Sequence, residues 1–437
     1  MNLIMMNYDV AIVGGGLAGL VASIYAAQAG KKTVVLEQQK QLGGRAITKK
    51  KNGAYFDLGG RALYKGEAVE ILKELDVTFE GSEPSIDAFG IWKNKLLSLP
   101  MDFMSLLTTP LLSFKGKLEV GSLLTKLRKL DTKSFDHRSV RDWVESNLMD
   151  SMVRNFVYSL LRTASYVVSP DLQAAGPVLR QLQRSMYGVY YIEKGWGSLI
   201  KQLRIKAVQS GVSFILSEKV TEVTHQDKKV KAVHCEDGTL ITSENVILTT
   251  SPEISCKLVS EADQTSLQAW KDQAIPITAA CLSVALRRLP KPKHQFIYGI
   301  DQPVLLSNLS RAAYLSDNGD QVVHLIKYQG TQTDTKKDEQ DLERVLDLAQ
   351  PGWRDELVAR QYLPKIVVTH DFPHMNREVN PGPNVPEIEG LYVAGDWTTH
   401  GELLADAALA SAKRAVEHII TKTSQERTPT NGYRVVV

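Results

Sequence analysis

Three glycines and one acid near the N-terminus have types and spacing that could do chemistry. Gly14, Gly16 and Gly19 spell G-x-G-x-x-G between a β-rich run, Tyr8 to Val13, and an Ala-rich helical stretch from Leu17 to Ala29. Gly14 allows a tight turn, Gly16 lets the backbone approach a pyrophosphate, and Gly19 lets the helix pack closely on the strand. The first helical turn, with Leu17 and Ala18, offers unpaired N–H groups and a partial positive charge to phosphates. A second strand, Lys32 to Leu36, ends at Glu37, eighteen residues past Gly19. Its carboxylate is placed to accept from ribose hydroxyls and disfavours a 2′-phosphate, which argues against NADP here. The motif reads an ADP moiety and by itself does not separate FAD from NAD.

Two further segments add chemistry. Gln41-Leu42-Gly43-Gly44-Arg45 follows Glu37 directly, and Phe56-Asp57-Leu58-Gly59-Gly60-Arg61 comes soon after. Near the C-terminus, Leu391 to Ala394 reads as a buried strand that ends in Gly395-Asp396-Trp397-Thr398, with a long helix from Leu403 to His418 beyond. Ligands of open α/β sheets sit at the carboxyl edge of the strands, where Asp396 falls. A carboxylate there can accept from ribityl hydroxyls or order a bridging water. The start of the following helix, Leu404 and Ala405, would turn its positive end toward developing negative charge. No HExxH, GxSxG or paired CxxC is present, so metal and nucleophilic mechanisms find no support. The histidines read as structural residues.

These segments resemble the flavin-containing amine oxidase superfamily, which includes protoporphyrinogen oxidase and the phytoene and carotene desaturases. GGR after the ribose acid, the strand ending in AGD and the following Ala408-Leu-Ala-Ser-Ala412 carry the resemblance. It is strong over residues 8–64 and 388–418, moderate over 186–251, and faint elsewhere. The resemblance implies FAD. It places Arg45 near the phosphates, the backbone of Gly60, Arg61 and Ala62 beside the isoalloxazine, the Val220 backbone at the adenine edge, and Asp396 in the ribityl–phosphate region. Two departures stand out. Gln39 replaces an arginine that many relatives carry, and no cysteine precedes the C-terminal motif closely enough for covalent attachment. The FAD is therefore expected to be non-covalent.

The elements that must position these residues follow from length and pattern. A chain of 437 residues calls for two domains. The expected fold class is α/β, a discontinuous Rossmann-like FAD-binding domain (residues 1–90, 190–270 and 380–437) with an inserted α+β substrate-binding domain (91–189 and 271–379). Residues 96–190 read as helical: Met104 to Leu112, Leu118 to Leu130, Val140 to Leu148 and Met152 to Thr163. Strands are expected at Ala280 to Leu286, Gln295 to Tyr298, Val304 to Leu309 and Val322 to Tyr328, then a polar helix from Asp338 to Gln350. The stretch from Thr421 onward reads as a polar tail.

Bulk properties exclude other classes. Net charge is +3, from 52 basic and 49 acidic residues, with no footprint of nucleic-acid binding. The three cysteines (Cys235, Cys256, Cys281) suit neither a disulfide framework nor zinc, and fit a cytoplasmic setting. The uncharged run from Val10 to Gly30 is broken by its glycine cluster and reads as strand–turn–helix rather than a membrane span. The segment 96–133 joins apolar residues to Lys115, Lys117, Lys126, Arg128, Lys129 and Lys133. The favoured reading is a core-facing helix with a solvated basic face. The alternative is peripheral contact with the inner face of a membrane.

Together these point to an FAD-dependent oxidoreductase that removes hydride from an apolar small molecule to flavin N5, with oxygen or a quinone as electron acceptor. GDWT and the apolar 96–114 stretch lean towards desaturase-like chemistry. Leu404 stands where an amine oxidase would place a cage aromatic. Trp397 and Tyr191 are candidate walls of the substrate cavity, with core packing as the competing role. Alternatives are a protoporphyrinogen-oxidase-like enzyme and a flavin-free binding scaffold resembling Rab GDP-dissociation inhibitors. The absence of a second G-x-G-x-x-G counts against a hydroxylase that also uses NADPH.

Overall fold

The computed structural model describes residues 5–60, 62–85, 87–100 and 103–427. Two seven-stranded sheets organise it. In the first, Met5–Val13 lies between Thr33–Glu37 and Leu240–Leu248, all parallel, with Ser213–Leu216 beyond Thr33–Glu37. Val10, Ala11 and Ile12 have no exposed surface, as a strand covered on both faces requires. Lys229–Cys235 and Val220–Gln226 extend the sheet antiparallel, and Leu391–Val393 joins the end of Leu240–Leu248 in parallel. This is the expected α/β sheet built from three separated parts of the chain. The helices Leu17–Gln28, Trp196–Gln209 and Leu404–Arg427 pack on one face through Leu20, Leu203, Ala412 and Val416.

The second sheet runs in the order Leu357–Thr369, Ile277–Leu286, Gln321–Tyr328, Val304–Asn308, Phe296–Gly299, Phe89–Trp92, Lys95–Ser98. Its strands alternate as a two-residue period demands. Ala280, Leu282, Val284, Val323 and Leu325 pack under the helix Thr335–Ala349. The alternate residues Ala279, Cys281, Leu305, Ile326 and Tyr328 gather on the other side with Tyr166, Phe372 and Leu404. Gln361 Nε2 donates to Asp57 O at 2.9 Å, tying this side to the segment that follows the first sheet's strand Thr33–Glu37.

Several elements were not singled out in the sequence. The helix Ala175–Ser185 carries Pro177 in its first turn, where a missing N–H costs nothing. The strand Leu357–Thr369 carries Pro364 but lies at the edge of the sheet, with a register shift at that point. The expected tail from Thr421 is a helical continuation as far as Arg427. Among the described residues, no helix is long and apolar enough to cross a membrane.

The basic segment splits. Val120 and Leu127 of the helix Phe114–Leu127 pack into the helical core, as the core-facing reading expects. Phe114 and Leu118 do not, at 76% and 62% exposure, and Met104 and Leu107 are exposed beside them. Lys117 Nζ donates to Leu107 O at 2.6 Å, joining the two short helices.

Candidate FAD cradle and substrate cavity

Gly14 takes φ +109°, closed to other side chains, and its N–H donates to Leu36 O at 2.8 Å. A methyl on Gly19 would lie 1.9 Å from Gly14 O, so the helix sits directly on the turn. A methyl on Gly16 would meet nothing within 4 Å. That open space faces the helix N-terminus, where no side chain caps Gly16 and no acid occupies the first turn of Leu17–Gln28. The N–H groups of Leu17 and Ala18 are thus left for an anion. Gly44, at φ +53°, closes the other side, its Cβ position 3.5 Å from Gly16 Cα.

Glu37 is buried, and its two oxygens accept from Gly15 N at 2.8 Å and Gln39 N at 2.9 Å. A carboxylate has about four lone-pair sites, so capacity remains for ribose hydroxyls. Glu37 O accepts from Glu218 N at 3.1 Å, which brings Val220, at the head of its strand, beside the ribose acid. Ribose and adenine would therefore be read from neighbouring backbone.

Arg45 leaves the short turn Gly44–Ala46 and reaches Asp396 Oδ2 at 2.8 Å. His370 N donates to the same oxygen at 3.1 Å, while its Nδ1 lies 3.3 Å from Oδ1. Burial alone would raise the Asp396 carboxyl. The Arg45 charge and the His370 hydrogen bond outweigh it and hold the group well below the usual carboxylate range. Asp396 is therefore a fixed anion, and the half-exposed Arg45 is a cation still open to phosphate. Gly395, at φ +149°, turns the chain, and Ser411 Oγ bonds both its N–H and its C=O. Leu404 opens the last helix at φ +58°, an unusual conformation for a bulky residue. Leu403, Leu404, Asp396, Phe372, Asp371 and Thr369 line one small cavity.

Gly60 lies where a Cβ would meet the Tyr166 hydroxyl at 2.3 Å, and a Cβ on Gly59 would meet Ile366 Cδ1 at 2.9 Å. Ala62 pairs with Tyr191. The stretch assigned to the isoalloxazine edge therefore borders the aromatic side of the second sheet. Arg61 lies outside the described residues. Tyr191 is buried with its hydroxyl 2.9 Å from Ser307 Oγ on that same sheet face. Trp397 is elsewhere. It is 1% exposed in the core of the first sheet, with Nε1 donating to Thr250 O at 2.8 Å and its ring tilted on Trp270. Core packing, the competing role, accounts for it.

Sequence reading missed several members. His370 gave no sign of its contact with Asp396, 26 residues away. Asp57 caps the helix Trp196–Gln209 through Trp196 N at 3.1 Å, which explains Gly195: a Cβ there would lie 2.4 Å from Asp57 Oδ1. Asp406 accepts from Ala68 N at 2.8 Å and from Arg184 at 3.1 Å. Tyr64, Tyr166, Tyr298 and Tyr328 come from four separate elements or loops, so no local pattern announced them. A broad hollow lined by Arg287, Arg288, Gln321 and Asp355 lies at the other end of the second sheet's strands. It is open, mixed in lining (Leu289, Pro290 and Pro351 also border it), lies at the opposite end of the strands from Asp396, and takes no part in the site. Among the described residues, no cluster of three or more His, Cys, Asp or Glu could hold a metal.

A turn with free N–H groups at a helix start, a buried acid ending the next strand and a half-exposed cation beside them together fit a dinucleotide, in an α/β protein. The profile of flavin containing amine oxidoreductases matches residues 17–420. The chain belongs to that family of FAD-dependent oxidoreductases. It is 25% identical over 269 residues to the lycopene-forming phytoene desaturase of Pantoea ananas, a match covering 52% of each chain. The chain thus spans about half the length of that curated relative. An oxidoreductase of Methanosarcina mazei has the same fold, with TM-score 0.76 and 18% identity over 94% of this chain and all of the other. A putrescine oxidase bound to putrescine also shares the fold, with TM-score 0.72 and 14% identity over 95% of this chain and all of the other.

Proposed function

We propose that the protein oxidises an apolar, unsaturated small molecule at a C–H bond, in the manner of a desaturase. Bound FAD would supply the hydride-accepting chemistry, with oxygen or a quinone as the final electron acceptor. The observation that carries this reading is the wall beside Gly60 and Ala62, made of Tyr166, Tyr328, Leu305, Ile326 and Phe372. Such a wall excludes water and orients a flat apolar substrate. Loss of hydride from one carbon must be matched by loss of a proton from its neighbour before the double bond is complete, and that proton would pass to water or to a polar group bordering the wall. Leu404 packs into this wall where a second cage aromatic would be needed for an amine. In this reading residues 1–90, 190–270 and 380–437 hold the cofactor, and 91–189 and 271–379 hold the substrate.

The test is an absorption spectrum of the purified protein before and after heat release, then anaerobic bleaching with polyenes and with amines. Flavin bands that move to the supernatant, and bleaching by polyenes alone, are expected. Bleaching by amines would favour oxidation of the amine type. A colourless protein that takes up no added FAD would point to the flavin-free scaffold instead.

A contact with anionic lipid, through Met104, Leu107, Phe114 and Leu118 ringed by Lys115, Lys126 and Lys129, would deliver apolar substrates to this cavity. Exposed apolar side chains with a basic rim have the complementarity such a surface demands.

A further inference from the structure

Arg311 stands at the end of the turn Leu309–Arg311, beside the aromatic wall. Its guanidinium carbon lies 4.6 Å from the centre of the Phe296 ring and 5.8 Å from that of Tyr191. Nε and Nη1 are shut off from solvent and have no hydrogen-bond partner among the described residues. Among the described residues no carboxylate pairs with it either. The residue as a whole is partly buried, but guanidinium N–H groups cut off from water are normally paired. The two rings offset part of the missing pairing by cation–π attraction, but a ring offers no acceptor in the plane of the guanidinium.

The neighbouring phenols supply no counter-ion. Burial, then the proximity of other phenols, pushes Tyr64, Tyr166 and Tyr298 upward, and Tyr328 is pushed up to about 12. All four stay protonated at neutral pH, and no hydrogen bond occupies the hydroxyls of Tyr64, Tyr166 or Tyr298 among the described residues. A guanidinium fork and several phenol donors therefore meet at an apolar wall with acceptors missing. Tyr191 connects this corner to Ala62 through strand pairing, so it lies on the substrate side of the cradle.

We propose that Arg311 is a specificity-determining residue that anchors a carboxylate on the substrate, so the molecule taken is a flat apolar acid rather than a hydrocarbon or an amine. The inference rests on the oxidoreductase reading for why a substrate enters this corner. A carboxylate can meet the guanidinium in two parallel hydrogen bonds through Nη2 together with either Nε or Nη1. Phe296 and Tyr298, at 4.9 Å and edge to face, would flank the apolar body.

The experiment is calorimetric titration of the full-length FAD-loaded protein with benzoate and cinnamate, against benzamide and benzylamine as neutral and cationic controls. Wild type is expected to bind at least one acid and to prefer it to benzamide. Arg311→Met should weaken acid binding on the order of tenfold or more, with flavin content unchanged, and Arg311→Lys should restore part of it. Failure of both acids to bind wild type, equal binding by Arg311→Met, or an Arg311→Met protein that loses its FAD would each overturn the assignment. Flavin content is read by absorbance in parallel. A protein without flavin would sink the oxidoreductase reading, while the calorimetric comparison would still decide the role of Arg311.

Discussion

Arg45 Nη1 lies 2.8 Å from Asp396 Oδ2, an ion pair that joins segments 351 residues apart and closes the cradle between them. Burial disfavours the charged guanidinium, but Asp396 outweighs that and raises its pKa, while the Asp396 carboxyl is held low. A depressed carboxyl stabilises the fold at every pH above its unfolded value and loses that contribution only in strong acid. Arg45→Met leaves Asp396 buried with His370 alone. Because solvent reaches Arg45, we expect a loss of about 1–2 kcal/mol rather than the larger value for a fully buried pair. Thermal unfolding at pH 7 should fall, and adding Asp396→Asn should recover part of it. An unchanged midpoint for Arg45→Met would show that the pair contributes nothing.

Two glycines of the same motif should separate folding from cofactor binding. Gly19→Ala would drive a methyl to 1.9 Å from Gly14 O, a backbone atom that cannot move aside. A loss of about 3 kcal/mol or outright failure to fold is expected. Gly16→Ala meets nothing within 4 Å and has an extended φ, so the apo protein should melt within a few tenths of a kcal/mol of wild type. Its flavin content should nonetheless drop sharply, because the methyl would enter the pyrophosphate space. Flavin content and melting temperature measured together check both. Wild-type flavin in a folded Gly16→Ala protein would remove Gly16 from the phosphate site.

Much of the cradle was legible because its contacts are local. Gly14, Gly16, Gly19 and Glu37 lie within one strand–helix–strand unit, where spacing alone sets geometry. Asp396 was legible through the strand that precedes it. The aromatic corner was not. Apart from Tyr191, singled out as a candidate cavity wall, its members Tyr64, Phe296, Arg311 and Tyr328 meet only after two sheets have packed, and each taken singly reads as ordinary strand or loop. The elements around Pro177 and Pro364 were not singled out either, and their tolerance of proline depends on a helix's first turn and on an edge strand. Trp397 stood beside the motif acid in sequence but turns into the core of the first sheet.

The exposed apolar pair Phe114 and Leu118 gives a prediction about surface attachment. Both lie on one face of the helix Phe114–Leu127, four residues apart, so they would enter a lipid surface together. Phe114→Asp with Leu118→Asp removes the apolar contact and adds two negative charges. Sedimentation with vesicles rich in phosphatidylglycerol should fall several-fold, with the melting temperature within about 0.5 kcal/mol of wild type, as for surface sites generally. Binding of wild type to neutral vesicles should be weaker and insensitive to salt. If wild type does not sediment with anionic vesicles, the patch serves something else.

Asp406 offers a test in pH. It is fully buried in the first turn of Leu404–Arg427, and its carboxyl is raised from the usual 3.8 to about 6. Desolvation is the main cause, opposed by the Ala68 N–H and by Arg184 and reinforced by Glu67 and Glu402. Its Oδ1 caps the helix Glu67–Glu74, whose own N-cap, Gly66, offers no side chain. The sign follows from proton counting. Between pH 4 and 6 the folded protein holds a proton that the unfolded chain has lost, so this group makes the fold less stable as pH rises. A two-unit shift corresponds to at most about 3 kcal/mol. Asp406→Asn keeps an acceptor for Ala68 and removes the titration. Urea unfolding at pH 4.5 and pH 7 should therefore show a smaller drop for Asp406→Asn than for wild type. Identical drops in the two proteins would mean that Asp406 stays ionised throughout, with Arg184 outweighing burial.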